Sequence, residues 1–396
     1  MKPRAAIIVL DGLGIGAAPD SADYGDAGSD TLGNVARVVG GLRLPNLEQL
    51  GLGQCRPGGL AGLAPGVRPD AAHGIAEPAS AGKDSTAGHW EICGILLERP
   101  FRTYPRGFPP ALLDEFARRT GRGWLGNIAA SGTAVIAELG EAHQRTGKWI
   151  VYTSADSVFQ VAAHEQTVPL DELYRACAIA REMLIGEHAV SRVIARPFAG
   201  EPGRYRRTAQ RRDFSLAPVG ETLLDRLAGA GVPRIGVGKV DDLFAGRNIA
   251  SEHTPTNADA YALIEAALDS LETGFVFVNV IEFDQTWGHR NDVAGFHQGL
   301  RELDAWIPRL RARLRDGDVV ILTADHGNDP TTPSTDHSRE SVPVLAFGPR
   351  VRPAALGTRR TFADLGQTVA EFFGVGRLAA GTSFLRDIWI GEGAAA

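Results

Sequence analysis

The clearest pattern along the chain is a series of short, almost continuously apolar runs, each of which ends in polar residues. Five such runs predict strands at residues 5–10, 234–237, 275–281, 319–323 and 342–347. Runs that do not alternate with polar residues are typical of strands buried on both faces of a mostly parallel sheet. Helical spacing lies between them at 259–271 and at 292–315, where Pro308 predicts an interruption. This alternation predicts an α/β fold with a doubly wound, mostly parallel sheet as its core.

The middle of the chain follows a different pattern and predicts a separate, smaller unit. A Pro- and Arg-rich stretch begins near Glu98, and it is followed by predicted helices at 110–120 and 170–185 and predicted strands at 149–153 and 192–195. A second passage rich in Pro, Gly and Arg, at 196–218, leads back to the core pattern. We therefore expect a core of residues 1–98 and 218–396 with an inserted α/β cap domain at 99–217.

Length, charge and cysteine content exclude several classes of protein. The 396 residues are enough for two to three domains of about 150 residues. The net charge of −6 argues against a general nucleic-acid partner and against an anionic membrane surface. Three well-separated cysteines, Cys55, Cys93 and Cys177, can form neither a disulfide framework nor a four-cysteine zinc site. The first apolar run is too short for a signal peptide or a membrane span, so we expect a cytoplasmic protein.

Acidic and imidazole side chains recur where the predicted strands end. Asp11, Asp284 and the pair Asp325-His326 each follow a different apolar run. Ligands of open parallel sheets bind beyond the carboxyl ends of the strands, so these groups are expected to converge. With His289 and His337 close by in sequence, the set holds three aspartates and three histidines. Such donors suit Mn²⁺, Zn²⁺ or Mg²⁺, and six of them are enough for two ions.

Each of these residues also has a simpler interpretation. A single aspartate at the end of a strand more often caps a helix or a turn than binds a metal. The run Asp325-His326-Gly327-Asn328 on its own could be a tight turn. The metal hypothesis depends on a coincidence: four of the ten histidines lie in short motifs that also contain acidic residues and glycines, namely His89, His289, His326 and His337.

A second group of reactive residues lies in the segment at 82–91, Gly-Lys-Asp-Ser-Thr-Ala-Gly-His-Trp-Glu. A hydroxyl beside acidic and basic groups could act as a nucleophile that a metal activates. The simpler interpretation is the start of a helix, with Asp84 or Ser85 as its N-cap. The two interpretations are compatible, because the free N–H groups at a helix N-terminus favour a phosphate.

Two motifs that imitate nucleotide-binding loops fail on inspection. The glycines of 12–16 follow a strand, but the third comes one residue early for a dinucleotide fingerprint, and Asp11 would face a pyrophosphate. The run 236–239 resembles a phosphate-binding loop, but Pro233 replaces its first glycine and Val240 replaces its Ser or Thr. A nucleotide-binding protein is therefore not expected.

Taken together, the motifs resemble the phosphopentomutase family of the alkaline phosphatase superfamily, which is close to the cofactor-independent phosphoglycerate mutases. The resemblance covers nearly the whole chain and includes residues 11–16, 82–91, 152–159, 192–197, 207–213, 283–290, 322–330 and 335–340. It implies an alkaline phosphatase-like core and two Mn²⁺ ions. One ion would be held by Asp11, Asp325 and His326, and the other by Asp284, His289 and His337.

The resemblance also implies a phosphorylated residue and a substrate site. The family usually carries its phosphate on a threonine followed by two residues and then Gly-His-Trp, and Ser85 stands at that position here. In the cap, Ser154 and Asp156 would lie near the sugar, and Arg192 and Arg207 near its phosphate. Lys239 of the core would lie beside them.

The activity implied is the interconversion of ribose or deoxyribose 1-phosphate and 5-phosphate through a phosphoserine and a bisphosphate intermediate. A metal-dependent phosphatase or phosphodiesterase, a mutase acting on another phosphosugar and a non-catalytic binding protein remain as alternatives. The expected partner is a small phosphosugar, with no nucleic acid and no membrane. A sugar bisphosphate is a candidate activator.

Overall fold

A computed structural model describes residues 3–56, 58–64, 67–154 and 157–390 of the chain. These residues form two compact units. The larger one, the core unit, comprises Met1–Pro100 and Pro218–Ala396, and the smaller one, the inserted unit, comprises Phe101–Ala217. No helix in the described ranges combines the length and the apolar character needed to cross a bilayer.

The strands and helices are numbered in chain order. The strands are β1 (Arg4–Leu10), β2 (Ala72–Ala76), β3 (Trp124–Ala129), β4 (Trp149–Thr153), β5 (Val158–His164), β6 (Arg192–Ala199), β7 (Arg206–Arg207), β8 (Arg212–Ser215), β9 (Arg234–Val237), β10 (Ser251–Glu252), β11 (Gly274–Val280), β12 (Asp318–Thr323), β13 (Val342–Phe347) and β14 (Ala354–Arg359). The α-helices are α1 (Thr31–Val38), α2 (Pro45–Gln49), α3 (Ser85–Ile92), α4 (Pro110–Thr120), α5 (Gly132–Thr146), α6 (Leu170–Met183), α7 (Leu223–Gly229), α8 (Val240–Leu243), α9 (Asn257–Ser270), α10 (Val293–Ala312), α11 (Ala363–Phe373) and α12 (Leu385–Ile388).

The core unit is built on an eight-stranded sheet with the strand order β10-β9-β11-β1-β12-β13-β2-β14. Strand β1 lies in its middle, where Ile7 pairs with Phe277 on one side and Ile321 on the other, both in parallel register. Only β13 is reversed, because it runs antiparallel to both β12 and β2. Every residue of β1, β11, β12 and β13 is buried, which explains why these strands appear in the sequence as continuous apolar runs. The predicted α/β class with a mostly parallel sheet is confirmed.

The predicted interruption at Pro308 is wrong, because α10 continues through this residue. A proline has no N–H to donate to the carbonyl four residues earlier, which is that of Asp304. The side-chain amide of Asn46 donates to this carbonyl instead, at 3.0 Å, so the acceptor is satisfied without a break in the helix. The carboxylate of Asp304 in turn accepts the backbone N–H groups of Asn46 and Leu47 at the start of α2.

The inserted unit has its own sheet, in the order β3-β4-β5-β6-β7, with β8 also paired to β6. One apolar cluster joins this sheet to α4 and α6, and includes Phe116, Trp149 and Phe159. A smaller cluster joins the other face to α5, and includes Ile136, Tyr152 and Phe198. The unit therefore has its own hydrophobic cores and is more than a loop.

The two ends of the core chain that flank the insertion are joined by hydrogen bonding within the core unit. The N–H of Leu223, at the start of α7, donates to the carbonyl of Cys93 at 2.9 Å. Cys93 directly follows α3, so the chain that re-enters the core meets the segment from which it departed.

A buried carboxyl group, that of Glu340, joins loops at the carboxyl edge of the core sheet. Its oxygens accept hydrogen bonds from the N–H and hydroxyl of Thr31, from the N–H of Gly16 and from the hydroxyl of Ser338. Burial raises the pKa of Glu340 to about 7, from 4.5, and these hydrogen bonds limit the rise. The protonated form is thus favoured by folding.

We expect the free energy of unfolding to fall as Glu340 ionises. Between pH 4.5 and 7 the folded chain binds more protons at this site than the unfolded chain, which amounts to about 3 kcal/mol across the window. The variant Glu340→Gln should lose this dependence, so the stability of the unsubstituted protein relative to the variant should decline with rising pH. Urea titrations from pH 4.5 to 7.5 measure this difference, and a constant difference would contradict the assignment. Glu302→Gln, which removes an exposed carboxyl on α10, serves as the control and should retain the dependence.

Candidate active site

Three aspartates lie together where the central strands of the core sheet end. Asp11 follows β1 and donates its backbone N–H to the carbonyl of Val280. Asp284 lies in a π-helical turn, Phe283–Trp287, shortly after β11. Asp325 follows β12 by one residue. All three are buried. Because parallel strands end at the same edge of the sheet, the three carboxylates converge there, as the sequence predicted.

The first cluster of possible ligands contains Asp284, His289 and His337. The Nε2 atom of His289 lies 3.3 Å from Oδ2 of Asp284, and Nε2 of His337 lies 3.3 Å from Oδ1. The Nδ1 atom of His289 donates to the carbonyl of Thr335 at 2.7 Å, which fixes the ring with Nε2 facing the carboxylate. This is the same trio that the family resemblance implies for one ion.

The second cluster contains Asp11, Asp284 and His326. The Nε2 atom of His326 lies 3.3 Å from Oδ1 of Asp11, and its Nδ1 faces the carbonyl of Gly327 at 3.0 Å. Asp284 belongs to both clusters and therefore stands between them. The expected ligand Asp325 is adjacent, with Oδ2 at 3.5 Å from Nε2 of His326.

The charges at this edge strongly perturb one another. Burial alone would raise the pKa of Asp11, but Lys239, whose Nζ lies 2.7 Å from Oδ2, and His326 hold it far below its usual range. Burial also opposes ionisation of Asp284, but His337 and His289 hold its pKa well below normal. Burial would lower the pKa of His326, yet the neighbouring carboxylates raise it to about 10. The carboxylates of Asp11 and Asp284 thus remain anionic and require cationic partners.

Ser85 lies among the same groups. It is the first residue of α3, and the carboxylate of Asp84 caps that helix by accepting the N–H of Ala87 at 3.1 Å. The hydroxyl of Ser85 donates to Oδ1 of Asp11 at 3.3 Å and lies 3.2 Å from Nε2 of His326. The expectation that 82–91 contains both a helix start and a reactive hydroxyl is consistent with this geometry.

Two glycines allow this close approach. A Cβ on Gly88 would lie 2.2 Å from the carbonyl oxygen of Asp325, so only glycine lets α3 pack against that segment. Gly12 has a positive φ of 78°, and a Cβ there would lie 3.2 Å from that of Asp284. The hydroxyl on α3 and the carboxylates on the sheet edge meet because both positions lack a side chain.

The structure places the expected substrate residues in both units. In the core unit, Nζ of Lys239 donates to Oγ of Ser85 at 3.4 Å, next to its ion pair with Asp11. In the inserted unit, Ser154 directly follows β4 and Arg192 begins β6 at the same edge of that sheet. Asp156 lies outside the described residues.

Arg207 lies toward the other end of β6 from Arg192. Arg207 pairs with Phe198 of β6, and the length of β6 from Arg192 to Phe198 is roughly 20 Å. Arg192 forms an ion pair with Asp213 at 3.4 Å, whereas Arg207 is exposed and has no ion pair within the described ranges. Arg196, which the sequence did not single out, points to the same face from between them and donates to the side chain of Gln160 at 3.0 Å.

Two residues outside the set of six predicted ligands also support the aspartates. The side-chain amide of Asn328 donates to Oδ1 of Asp284 at 2.7 Å. His89 is fully buried, with Nδ1 at 2.9 Å from the carbonyl of Ser85 and 3.1 Å from Oδ2 of Asp325. Both lie inside motifs that also contain predicted ligands. The sequence alone does not distinguish a residue that binds a metal from a neighbour that forms a hydrogen bond with a ligand.

The donor set fits divalent metal ions. The Oδ2 atom of Asp325 is buried and accepts no hydrogen bond from the residues that the structure describes, although ring nitrogens of His89 and His326 lie 3.1 and 3.5 Å away. Burying a carboxylate oxygen without a hydrogen bond is costly, and a cation removes that cost. Carboxylate oxygens and the Nε2 atoms of three histidines face one another, which is a donor chemistry suited to Mn²⁺, Zn²⁺ or Mg²⁺.

Known proteins support this description. A family model described as the metalloenzyme superfamily matches residues 3–377. A phosphopentomutase from Anaeromyxobacter sp. (strain K) is 56% identical over 390 residues, covering 98% of this chain and 100% of the relative. A phosphopentomutase from Caldanaerobacter subterraneus subsp. tengcongensis is 51% identical over 390 residues, covering 98% of both. A Leishmania mexicana phosphoglycerate mutase structure has a TM-score of 0.50 at 14% identity, covering 99% of this chain and 98% of that one, and thus shares the fold.

The buried carboxylate and imidazole groups and the matching family model define the class: the chain is a metal-dependent enzyme of the metalloenzyme superfamily. Identity above 50% over nearly the whole length narrows this further. Within that superfamily, the chain belongs to the phosphopentomutase family. The resemblance derived from its motifs is confirmed.

Because Asp284 belongs to both clusters, its loss should reduce metal binding more than the loss of a histidine from one cluster. We expect Asp284→Asn to weaken binding at both clusters and His337→Ala at only one, each by about 100-fold or more, since even outer-shell changes cost 10–100-fold. Elemental analysis after dialysis against Mn²⁺ measures this. Asp316→Asn, which removes an exposed carboxylate paired with Arg350, is the control and should bind as much metal as the unsubstituted protein. Equal metal content in all four proteins would refute the ligand assignment.

Proposed function

We propose that this enzyme interconverts ribose or deoxyribose 1-phosphate and 5-phosphate by moving a phosphoryl group between the two sugar oxygens. The observation that carries the proposal is the position of Ser85, whose hydroxyl meets Asp11, His326 and Lys239 at the buried edge of the sheet. Close relatives over the full length of the chain are phosphopentomutases, which supports the same substrate class.

Two metal ions, most simply Mn²⁺, would be held by the six predicted ligands. We assign Asp11, Asp325 and His326 to one ion and Asp284, His289 and His337 to the other, with Asp284 near enough to both clusters to be shared. When bound, the ions supply positive charge that offsets the charge of the transferring phosphoryl group and of the oxygens at either end of the transfer.

Ser85 would carry the phosphoryl group between sugar oxygens. Phosphorylated Ser85 transfers its phosphoryl group to the free 5-hydroxyl of the 1-phosphate. The bond between phosphorus and Oγ breaks, and a bond between phosphorus and the sugar oxygen forms. The proton of the sugar hydroxyl is transferred in net to Oγ. The resulting 1,5-bisphosphate returns its other phosphoryl group to Ser85, and the proton moves back to the sugar. The first N–H groups of α3 lie where a phosphate on Ser85 is favoured.

Lys239 would stabilise the charge that develops on Oγ of Ser85. Its Nζ lies 3.4 Å from this atom and 2.7 Å from Asp11. Burial would lower the pKa of Lys239, but Asp11 and Asp284 raise it, so the amine stays protonated as phosphate leaves or arrives. In a chain with 41 basic residues, Lys239 is one of only four lysines, and a compact ammonium suits this crowded position.

The inserted unit would hold the phosphosugar. We assign the sugar to Ser154 and Asp156, and the phosphate to Arg192 and Arg207. Because these two arginines are roughly 20 Å apart along β6, their long side chains would reach the phosphate from opposite ends of that strand. Arg196 lies between the two arginines on the same face and adds a third cation. Burial lowers the pKa of Arg196, as expected for a guanidinium whose hydrogen bond goes to a neutral amide oxygen. An anionic ligand would satisfy these groups.

A metal-dependent phosphatase or phosphodiesterase would use the same core, and a mutase could act on another phosphosugar. The full-length similarity to phosphopentomutases favours the pentose mutase. Activation by a sugar bisphosphate follows from the cycle, since such a compound would load Ser85 with phosphate. A cytoplasmic location and the absence of nucleic-acid and membrane partners stay predictions.

Ser85→Ala should abolish the conversion of ribose 1-phosphate to ribose 5-phosphate, because no oxygen remains to carry the phosphoryl group. Ser85→Thr should keep measurable activity, since it retains the hydroxyl. Peptide mass spectrometry after treatment with a sugar bisphosphate should find phosphate on Ser85.

The neighbouring variant Thr86→Ala is the matched control and should be phosphorylated and active. Phosphate on Thr86, or an active Ser85→Ala enzyme, contradicts the carrier assignment. Release of free phosphate from ribose 1-phosphate without ribose 5-phosphate would make the enzyme a phosphatase instead.

Arg207→Ala should raise the KM for ribose 1-phosphate by about 10- to 100-fold, because a hydrogen bond between charged groups contributes about 1.5–3 kcal/mol. Arg206 precedes it on β7 and alternates to the other face, so Arg206→Ala should leave KM within about twofold. Steady-state kinetics at saturating metal measure both values. Equal KM values for the two variants would remove Arg207 from the phosphate site.

A further inference from the structure

The position of Ser85 depends on the segment that leads into α3. Residues 78–84 form neither helix nor strand and join β2 to the first residue of α3. Ser85 begins that helix, so its hydroxyl moves with the backbone that precedes it. What holds residues 78–84 therefore decides where the hydroxyl lies relative to Asp11 and His326.

The guanidinium of Arg339 binds this segment with all five of its donors in use. Two N–H groups donate to the carboxylate of Asp20, at 3.0 and 2.9 Å. The other three donate to backbone carbonyls, those of Ser80 and Gly82 at 2.6 Å each and that of Pro78 at 3.0 Å. Arg339 is only 3% exposed, so water cannot replace these bonds without rearrangement.

The other side of the same segment is held by Glu91, which lies on α3. Its carboxylate accepts the N–H of Ala79 at 2.9 Å and that of Ser80 at 2.6 Å. Arg339 thus binds the carbonyl groups of the segment and Glu91 binds its N–H groups. The backbone between β2 and α3 is fixed from both sides by buried charged side chains.

Residues 20–26 provide further contacts to Arg339 and to the segment that it binds. Its guanidinium lies 4.7 Å from the centre of the Tyr24 ring, and the hydroxyl of Tyr24 accepts the N–H of Gly82 at 3.2 Å. The carboxylate of Asp26 accepts both the backbone N–H of Arg339, at 2.9 Å, and the ammonium of Lys83, at 3.0 Å. The arginine and the segment it binds therefore share a second layer of partners.

Arg339 is also attached to the segment that bears the metal-site histidines. It follows His337 by two residues, and the intervening Ser338 exchanges two backbone hydrogen bonds with Gly327, the residue after His326. One side chain consequently links the backbone of His326 and His337 to the backbone that leads into Ser85.

We infer that Arg339 is a positioning residue for Ser85, because its guanidinium joins the nucleophile segment at 78–84 to the histidine segment at 326–339. The inference relies on the proposed function for the role of Ser85 as phosphoryl carrier. Arg339 touches neither the reacting oxygen nor the ligand atoms. Its role is to hold the Ser85 hydroxyl at a fixed place beside Asp11 and His326.

A lysine cannot perform this role. Arginine presents five donors in a rigid plane, which matches three carbonyls and a carboxylate at once, whereas lysine offers three donors on a flexible stem. In Arg339→Lys the charge survives, but at least two of the five acceptors lose their donor. The segment at 78–84 would then shift or fluctuate, and a misplacement of about 1 Å at a reacting group costs about 100-fold in rate.

The test compares Arg339→Lys with Arg4→Lys. Arg4 is another buried arginine whose guanidinium binds a carboxylate, that of Asp318, and backbone carbonyls, but it lies at the amino end of β1, away from Ser85. We expect Arg339→Lys to lower kcat by about 100-fold with KM for ribose 1-phosphate within about threefold and with unchanged Mn²⁺ content. Amide hydrogen exchange of residues 79–84 should accelerate at least tenfold. Arg4→Lys should lower the melting temperature while keeping kcat per folded molecule within about twofold and the exchange of 79–84 unchanged.

A kcat and an exchange rate like those of the unsubstituted protein in Arg339→Lys would overturn the inference, as would an equal loss of kcat in Arg4→Lys. If Arg339→Lys does not fold, Asp20→Asn serves instead, because it weakens the hydrogen bonds that hold the Arg339 guanidinium on its more exposed side. It should accelerate exchange at 79–84 and lower kcat without raising KM, and the lack of both effects overturns the inference. An unsubstituted enzyme without mutase activity would refute the proposed function instead, whereas the exchange measurement would still test what Arg339 holds.

Discussion

Three buried carboxylates at one edge of the core sheet impose the constraint on which the rest of the site depends. Two like unit charges about 4 Å apart repel each other by roughly 4 kcal/mol at an effective dielectric constant near 20, so Asp11, Asp284 and Asp325 cannot all be buried as anions without cations. Lys239 and His326 supply part of that charge. The negative charge that remains explains why this edge of the sheet suits metal ions.

The same constraint places strict demands on the backbone. Charged side chains attract one another without regard to direction, so they do not by themselves determine where a neutral hydroxyl lies. In this protein the directional bonds come from a second group of buried ionisable side chains, Arg339, Glu91 and Glu340, which bind backbone groups of the loops around the site. The aspartates and histidines of the candidate metal site face one another, and this second group holds the loops around them.

The sequence predicted the parts of the molecule in which burial or chemistry permits few residue types. The central strands were found because both of their faces exclude polar residues, whereas the short β10 and the partly exposed β14 carry no such pattern. The interruption predicted at Pro308 was wrong because the side-chain amide of Asn46, which is far away in sequence, donates to the carbonyl that the proline leaves without a partner. The ligand types were evident from aspartate and histidine after apolar runs. The central place of Asp284, and the supporting roles of Asn328 and His89, depend on side-chain directions that no local pattern encodes.

The hydrogen bond between Leu223 and Cys93 has a consequence for how such a protein can change over time. The core chain is interrupted by more than a hundred residues, yet its two ends meet directly, so the core closes on itself whatever lies between them. All six predicted ligands, Ser85 and Lys239 lie on the core side of that junction. The junction therefore separates the residues proposed for metal binding and phosphoryl transfer from the inserted unit. An insertion of another length or sequence at this point would leave the carboxyl edge of the core sheet as it is.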